Sequence, residues 1–153
     1  MFKLSPVQKL KLISYYPPYL GAGIRMKSIS EDFMRVELEM KLRWWNRNFV
    51  GTHFGGSLAS MGDPFYMLML MQILGREYIV WDKASTIRFK QPGKGTVRCV
   101  YELSPEQIAD IRSQVDALGK QDFIFPLNIV NSEGEVVCEL EKTVYVRKKE
   151  PKR

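Results

Sequence analysis

Between Gly55 and Leu74 the chain carries Leu58, Met61, Phe65, Leu68, Met69 and Gln72 at intervals of three and four, with apolar residues filling most positions between them. That spacing predicts a helix, and a helix apolar nearly all round has to be covered on several sides. Gly55-Gly56 opens the segment and Gly75 supplies a stop. Its one carboxylate is Asp63. Two readings of that acid stand side by side. Gly62 breaks the segment and Asp63-Pro64 caps a second helical piece running to Leu74, or the acid is there for chemistry.

The cover is legible in the rest of the chain. Met34, Val36, Leu38, Met40, Leu42 and Trp44 alternate with Arg35, Glu37, Glu39, Lys41 and Arg43, which predicts a strand with one buried and one wet face. Further strands are expected over Ile24 to Ser30, Tyr78 to Lys90, Thr96 to Leu103, Phe123 to Val130 and Val136 to Val146. Turn chemistry at Gln91-Pro92-Gly93-Lys94-Gly95 and a hairpin at Asn131-Ser132-Glu133-Gly134 join four of them. Pro126 cannot donate to a ladder, so its strand is expected at an edge or with a bulge. Ser5-Pro6-Val7-Gln8 and Ser104-Pro105-Glu106-Gln107 are capping boxes that start two outer helices. Pro17-Pro18 is expected to end the first, with Val7, Leu10 and Ile13 on one face; Gly119 ends the second, whose apolar face is Ile108, Ile111, Val115 and Leu118. The expected architecture is α+β, an antiparallel sheet curved around one inserted helix.

With 153 residues, 45% of them hydrophobic, the chain suffices for one domain with a real core, taken as 1–153 with an N-terminal helix and connector over 1–22 and a basic tail over 147–153. Cys99 and Cys138 lie far apart in strand-like runs, too few for a disulfide framework or a zinc site, and read as small buried residues of a reducing compartment. The first twenty residues lack the apolar core of a signal peptide, and the run from Phe65 to Met71 is well short of the ~20 residues that cross a bilayer. A cytoplasmic protein without membrane insertion is expected. The net charge of +6 suits anionic partners, but no nucleic-acid motif, metal-ligand spacing, phosphate-binding glycine loop or nucleophile elbow accompanies it.

Three segments carry a resemblance: Asn48 to Asp63, Tyr78 to Ala84, and Ile87 to Thr96. Together with the element order they resemble the hot-dog fold of acyl-CoA thioesterases, in a branch of uncharacterised function close to the phenylacetate-pathway type, over Gly23 to Val146. In that type a His-Gly-Gly triplet opens the central helix and an acid follows. Here Phe54-Gly55-Gly56 occupies the triplet's place and Asp63 the acid's. Phe54 stands where the family has histidine and His53 lies one residue earlier, so the histidine's role does not pass directly to His53.

What the resemblance implies is a hydrolase acting on coenzyme A thioesters as substrate, with no separate cofactor. Asp63 would activate water, the N–H of Gly56 at the helix start would bind the oxyanion, and Gly55 would give clearance. Seven residues separate Gly56 from Asp63, about 10 Å of helix rise, too long for one carbonyl to bridge. The resemblance supplies the answer: acid and amide come from different subunits of an obligate dimer, alone or paired into a dimer of dimers. Candidate substrate-binding residues are Asn48, His53 and Phe54 at the helix entry, with Arg88, Lys90 and Lys94 placed for coenzyme A phosphates. Asp82-Lys83 reads as a cross-strand ion pair or a bulge, and Met67, Met69 and Met71 read as core or the wall of an acyl tunnel. Rival readings are a non-catalytic acyl-CoA or fatty-acyl binding protein, a hot-dog hydratase or dehydratase using His53-Phe54 with Asp63, and a structural dimer whose basic tail meets acidic partners.

Overall fold

Period-two patterning becomes a sheet wherever one face can be buried, and Val36, Leu38 and Met40 of β2 (Arg35–Lys41) are fully enclosed while Arg35 and Lys41 face water. A computed structural model describes residues 4–150 of the chain; the charges expected at Lys3, Lys152 and Arg153 lie outside the described residues. β2 stops short of the expected Trp44. Asn46 accepts the Arg43 N–H at 2.6 Å and donates to the carbonyls of Ala22 and Lys41, which folds the chain out of the sheet and leaves Trp44 79% exposed.

The other elements are α1 (Pro6–Lys11), a 3-10 turn (Leu12–Tyr15), α2 (Pro17–Ala22), β1 (Ile24–Ile29), α3 (Gly55–Met61), α4 (Phe65–Leu74), β3 (Tyr78–Phe89), β4 (Thr96–Glu102), α5 (Pro105–Leu118), β5 (Lys120–Val130) and β6 (Val136–Lys148). Both capping boxes form. Pro17-Pro18 does more than end the first helix: proline is pre-organised for a first helical turn, and the pair opens α2. Leu118 is 64% exposed, since the last turn of α5 runs past the core covered by Ile108, Ile111 and Val115. Arg147 and Lys148, expected in a tail, are the last paired residues of β6.

All six strands are antiparallel in the order β1-β2-β4-β5-β6-β3. β5 meets β4 only at Arg98–Val130 and Cys99–Ile129, so Pro126 has no ladder to interrupt on that side. In this local sense the edge expected from Pro126 exists, and the bulge falls further along, between Ile129 and Val130. β3 closes the sheet and pairs only with β6. The concave face holds α3 and α4, giving the hot-dog arrangement of a curved sheet around a central helical segment.

That segment is two helices rather than one. Proline cannot sit inside a helix without losing a hydrogen bond, and it turns the residue before it away from helical geometry. The chain therefore leaves α3 at Gly62, passes through Asp63 and Pro64, and restarts at Phe65. Gly62 is buried so tightly that a methyl group built on it would overlap Leu140 Cδ2, on a residue only 2% exposed. Gly62→Ala is expected to cost about 1–3 kcal/mol through overpacking, seen as a lower urea midpoint with an unchanged denaturant slope.

Candidate active site

The break between α3 and α4 leaves the carbonyls at the end of α3 without helical donors, and buried side chains replace them. Tyr19 of α2, 3% exposed, donates its hydroxyl to Ser60 O at 3.0 Å and to Asp63 O. Tyr101 of β4, fully buried, donates to Met61 O at 2.7 Å. Burial raises the pKa of both phenols, so both stay protonated donors. These bonds fix the backbone on which Asp63 stands.

The Asp63 side chain is 54% exposed and makes no cap for α4, where Pro64 holds the N-cap position without a side-chain hydrogen bond. It turns to β6 instead. Lys142 Nζ lies 2.5 Å from Asp63 Oδ1 and 3.4 Å from Asp82 Oδ1, and the Lys142 side chain is only 3% exposed. Asp82 is itself mostly buried. Burial, with the nearby Asp63 charge adding to it, pushes the Asp82 carboxyl above its ordinary range, and the Lys142 ammonium opposes that rise. β3 bulges between Asp82 and Ala84, and the intervening Lys83 pairs with Asp122 of β5 at 2.5 Å, so Asp82-Lys83 is both a bulge and a pair of cross-strand ion pairs.

At the other end of α3 lie the remaining motif residues. Asn48 spends its side chain on its own loop, accepting from Val50 and Thr52 N–H and donating to Thr52 Oγ1 and the His53 carbonyl, so it holds the backbone of His53 and not the imidazole. His53 is 3% exposed; its N–H donates to Gly93 O at 2.9 Å and its Nε2 lies 3.1 Å from Gly95 O. It pins the entry loop to the 91–95 turn. Burial lowers its pKa, partly countered by the Gly95 carbonyl, which favours a neutral ring, and Nδ1 has no partner among the described residues. Phe54 occupies the N-cap of α3 with no side-chain acceptor to offer, and is 57% exposed. A side chain at Gly56 would overlap the Phe54 ring, and one at Gly55 would come within 3.0 Å of Phe89, so aromatic packing accounts for both glycines.

Ser57 and Leu58 donate their N–H groups to Phe54 O, whereas those of Gly55 and Gly56 make no hydrogen bond among the described residues. Beside them opens a hollow of about 580 Å³ lined by Trp45, Arg47, Phe54, Gly56, Ser57 and Ser60. Arg88 and Lys94 are exposed, Arg88 near the end of β3 and Lys94 in the turn that follows; Lys90, between them, is paired with Glu139 at 3.4 Å. One chain thus groups His53, Phe54, Gly55 and Gly56 at the start of α3, and Asp63, Lys142, Asp82 and Tyr19 beyond its end. The charged group can hold and orient a water or a polar substrate atom, and the two free N–H groups can donate to a negative oxygen. Among the described residues no cluster of histidine, cysteine, aspartate or glutamate fits a metal ion, and no helix is long and apolar enough to cross a membrane.

Lys142 and Tyr19 are the members that the sequence motif does not contain. For Lys142 a signal existed: on β6 the inward positions read Cys138, Leu140, Lys142, Val144, Val146, and a charge in that register has to meet a partner. Nothing local marks Tyr19.

The buried imidazole makes stability depend on pH. Its pKa in the folded chain is below the ordinary 6.5, so the unfolded chain binds the proton more readily. This contribution is whole above about pH 6.5 and is lost as the pH falls below it. The urea midpoint is expected to drop between about pH 7 and 5.5, and by less in His53→Gln; equal drops in the two proteins would contradict the assignment.

Solved structures share the fold. A protein of unknown function from Pseudomonas aeruginosa, described as a probable thioesterase, superposes with a TM-score of 0.78 at 22% identity over 92% of this chain and 95% of its own. A thioesterase from Haemophilus influenzae gives 0.66 at 16% identity, covering 95% and 93%. The PaaI protein of the E. coli phenylacetic acid degradation operon gives 0.60 at 19%, covering 90% and 93%. No curated protein matches the sequence. The family model described as a domain of unknown function (DUF4442) matches residues 7–146, and the chain belongs to that family.

Proposed function

We propose that this protein is a thioesterase that hydrolyses acyl-CoA-type thioesters as a homo-oligomer. The observation that carries the reading is a half-exposed carboxylate, Asp63, fixed at a helix break by a buried lysine, on a fold shared with thioesterases. Hydrolysis adds water across the C–S bond. A base takes a proton from the water as it attacks the carbonyl carbon, the carbonyl oxygen becomes an oxyanion, and the thiolate leaves as the carbonyl reforms. Asp63 is the base, with Oδ1 engaged by Lys142 and Oδ2 turned to the substrate. The Gly56 N–H, with Gly55 beside it, is the oxyanion donor.

The two cannot act from one chain, because they flank opposite ends of the seven-residue α3, about 10 Å apart along its axis. A second copy supplies the missing half. Support comes from β3, twelve residues long with one side unpaired, and from the apolar groove of about 1330 Å³ beside it, lined by Met67, Met71, Ile79 and Trp81. An unpaired edge of that length next to apolar surface is where another chain adds. Arg88 and Lys94 are the cations offered to coenzyme A phosphates; the Lys90 ammonium is shared with Glu139. The reduced, buried Cys99 and Cys138 accord with a cytoplasmic setting. The dehydratase alternative is less favoured, since the His53 ring is buried and tied to Gly95 O.

The test is thiol release from coenzyme A esters of increasing chain length and from aromatic thioesters. Asp63→Asn is expected to lower kcat by about 10²- to 10⁴-fold with an unchanged circular dichroism spectrum. Wild-type turnover in the variant would end the catalytic assignment, and saturable binding without thiol release would favour the binding protein. For the assembly, Trp81→Glu on the open edge is expected to lower the mass seen in sedimentation to that of a single chain.

A further inference from the structure

Lysine is rarely enclosed unless paired, and Lys142 is 3% exposed on a sheet face whose neighbouring inward residues are Leu140 and Val144. An aliphatic side chain would continue that pattern. Burying an ammonium costs several kcal/mol, and exchanging a buried ion pair for apolar residues of similar volume is often neutral or stabilising. Stability therefore does not explain this lysine. Its geometry does: three ammonium protons are available, one carboxylate oxygen lies at 2.5 Å and a second at 3.4 Å, from two different elements.

We infer that Lys142 is a positioning residue for Asp63, holding Oδ1 so that Oδ2 presents itself to the reacting water, and that the Asp82 charge, 3.4 Å away, helps to keep the ammonium in place. The inference rests on the thioesterase reading for the word "reacting", but not for the orientation itself. The groups acting on this cluster come from four directions: Asp63 at the helix break, Asp82 on β3, Tyr19 on α2 through the Asp63 carbonyl, and Tyr101 on β4 through the Met61 carbonyl. The two tyrosines hold backbone, which leaves Lys142 as the one cation among the described residues that holds the Asp63 carboxylate, with the Asp82 carboxyl close beside it. A carboxylate 54% exposed and without that contact would populate several χ1 rotamers.

Positioning and structural roles predict opposite results. In the double variant Lys142→Met with Asp82→Asn, no buried charge is left without its partner. Its urea midpoint is expected to equal or exceed that of the wild type, kcat for thioester hydrolysis to fall by about 10- to 100-fold, and KM to hold. An unchanged kcat, or a fall in kcat that only tracks a loss of folded protein, would overturn the inference. Three-bond couplings to the Asp63 β protons give a reading that needs no turnover: one rotamer in the wild type and averaged rotamers in the double variant. A single rotamer in both overturns the positioning role whatever the activity. If the couplings change as expected and the wild type releases no thiol, the positioning role stands and the thioesterase reading falls.

Discussion

A helix without a polar side cannot stop at one layer of contact, and most of this molecule answers that constraint. α4 buries Phe65, Tyr66, Met69, Leu70 and Leu74, each worth about 1.5–3 kcal/mol when withdrawn from water. The concave sheet supplies Val97, Cys99, Tyr101, Leu140 and Val144 beneath the segment, while Leu10 and Tyr19 bring the N-terminal helices over another side. Met67 and Leu68 are only half covered and Met71 is exposed. That uncovered strip runs beside β3, the one long strand with an unpaired side at the end of the sheet. The incompleteness of the cover and the openness of the edge lie side by side, where the second copy proposed above would cover both.

The break in the central segment is what turns a packing element into a possible site. Leu140 presses on Gly62 and Pro64 forbids helical continuation, so the chain departs from regular geometry at the point where the core is tightest. Such a departure exposes backbone carbonyls that have to be paired. Two phenols do this, and since burial keeps them protonated they do so as donors. The Asp63 side chain is released from any capping duty and faces both solvent and Lys142. A continuous helix would have placed position 63 about two turns beyond the Gly55-Gly56 start with ordinary backbone bonding and no such freedom.

The fold was largely legible in the sequence because its signals are periodic. Alternation gave β2 and β4, capping boxes gave α1 and α5, and the hairpin at 131–134 joined β5 to β6. Misreadings occurred where a side chain overrules a pattern. Asn46 ends β2 three residues before the alternation does, and Pro17-Pro18 begins a helix as well as ending one. The candidate site was half legible. Residues near one another in sequence, Asn48 to Gly56 and Asp63, form a motif; Tyr19 and Lys142 reach Asp63 from 44 and 79 positions away, and only the folded chain brings them there. The inward register of Lys142 was visible along β6, but its partner was not, because a strand's pattern states which face a residue takes and nothing about what waits on that face.

The departure at Phe54 acquires a physical meaning from the two ends of α3. The C-terminal end is fully provided with donors by Tyr19 and Tyr101. The N-terminal end is not provided with acceptors: its cap residue is a phenylalanine, which has nothing to accept the Gly55 and Gly56 N–H groups. A polar residue at that position would compete for one of those donors. Phe54 instead lays its ring against Gly56 and shields it from one side, while the hollow edged by Arg47 and Ser57 leaves the other side approachable. An aromatic residue at the cap thus leaves these amides without a side-chain acceptor, and on the thioesterase reading proposed above that would keep them free for an anionic oxygen of the substrate.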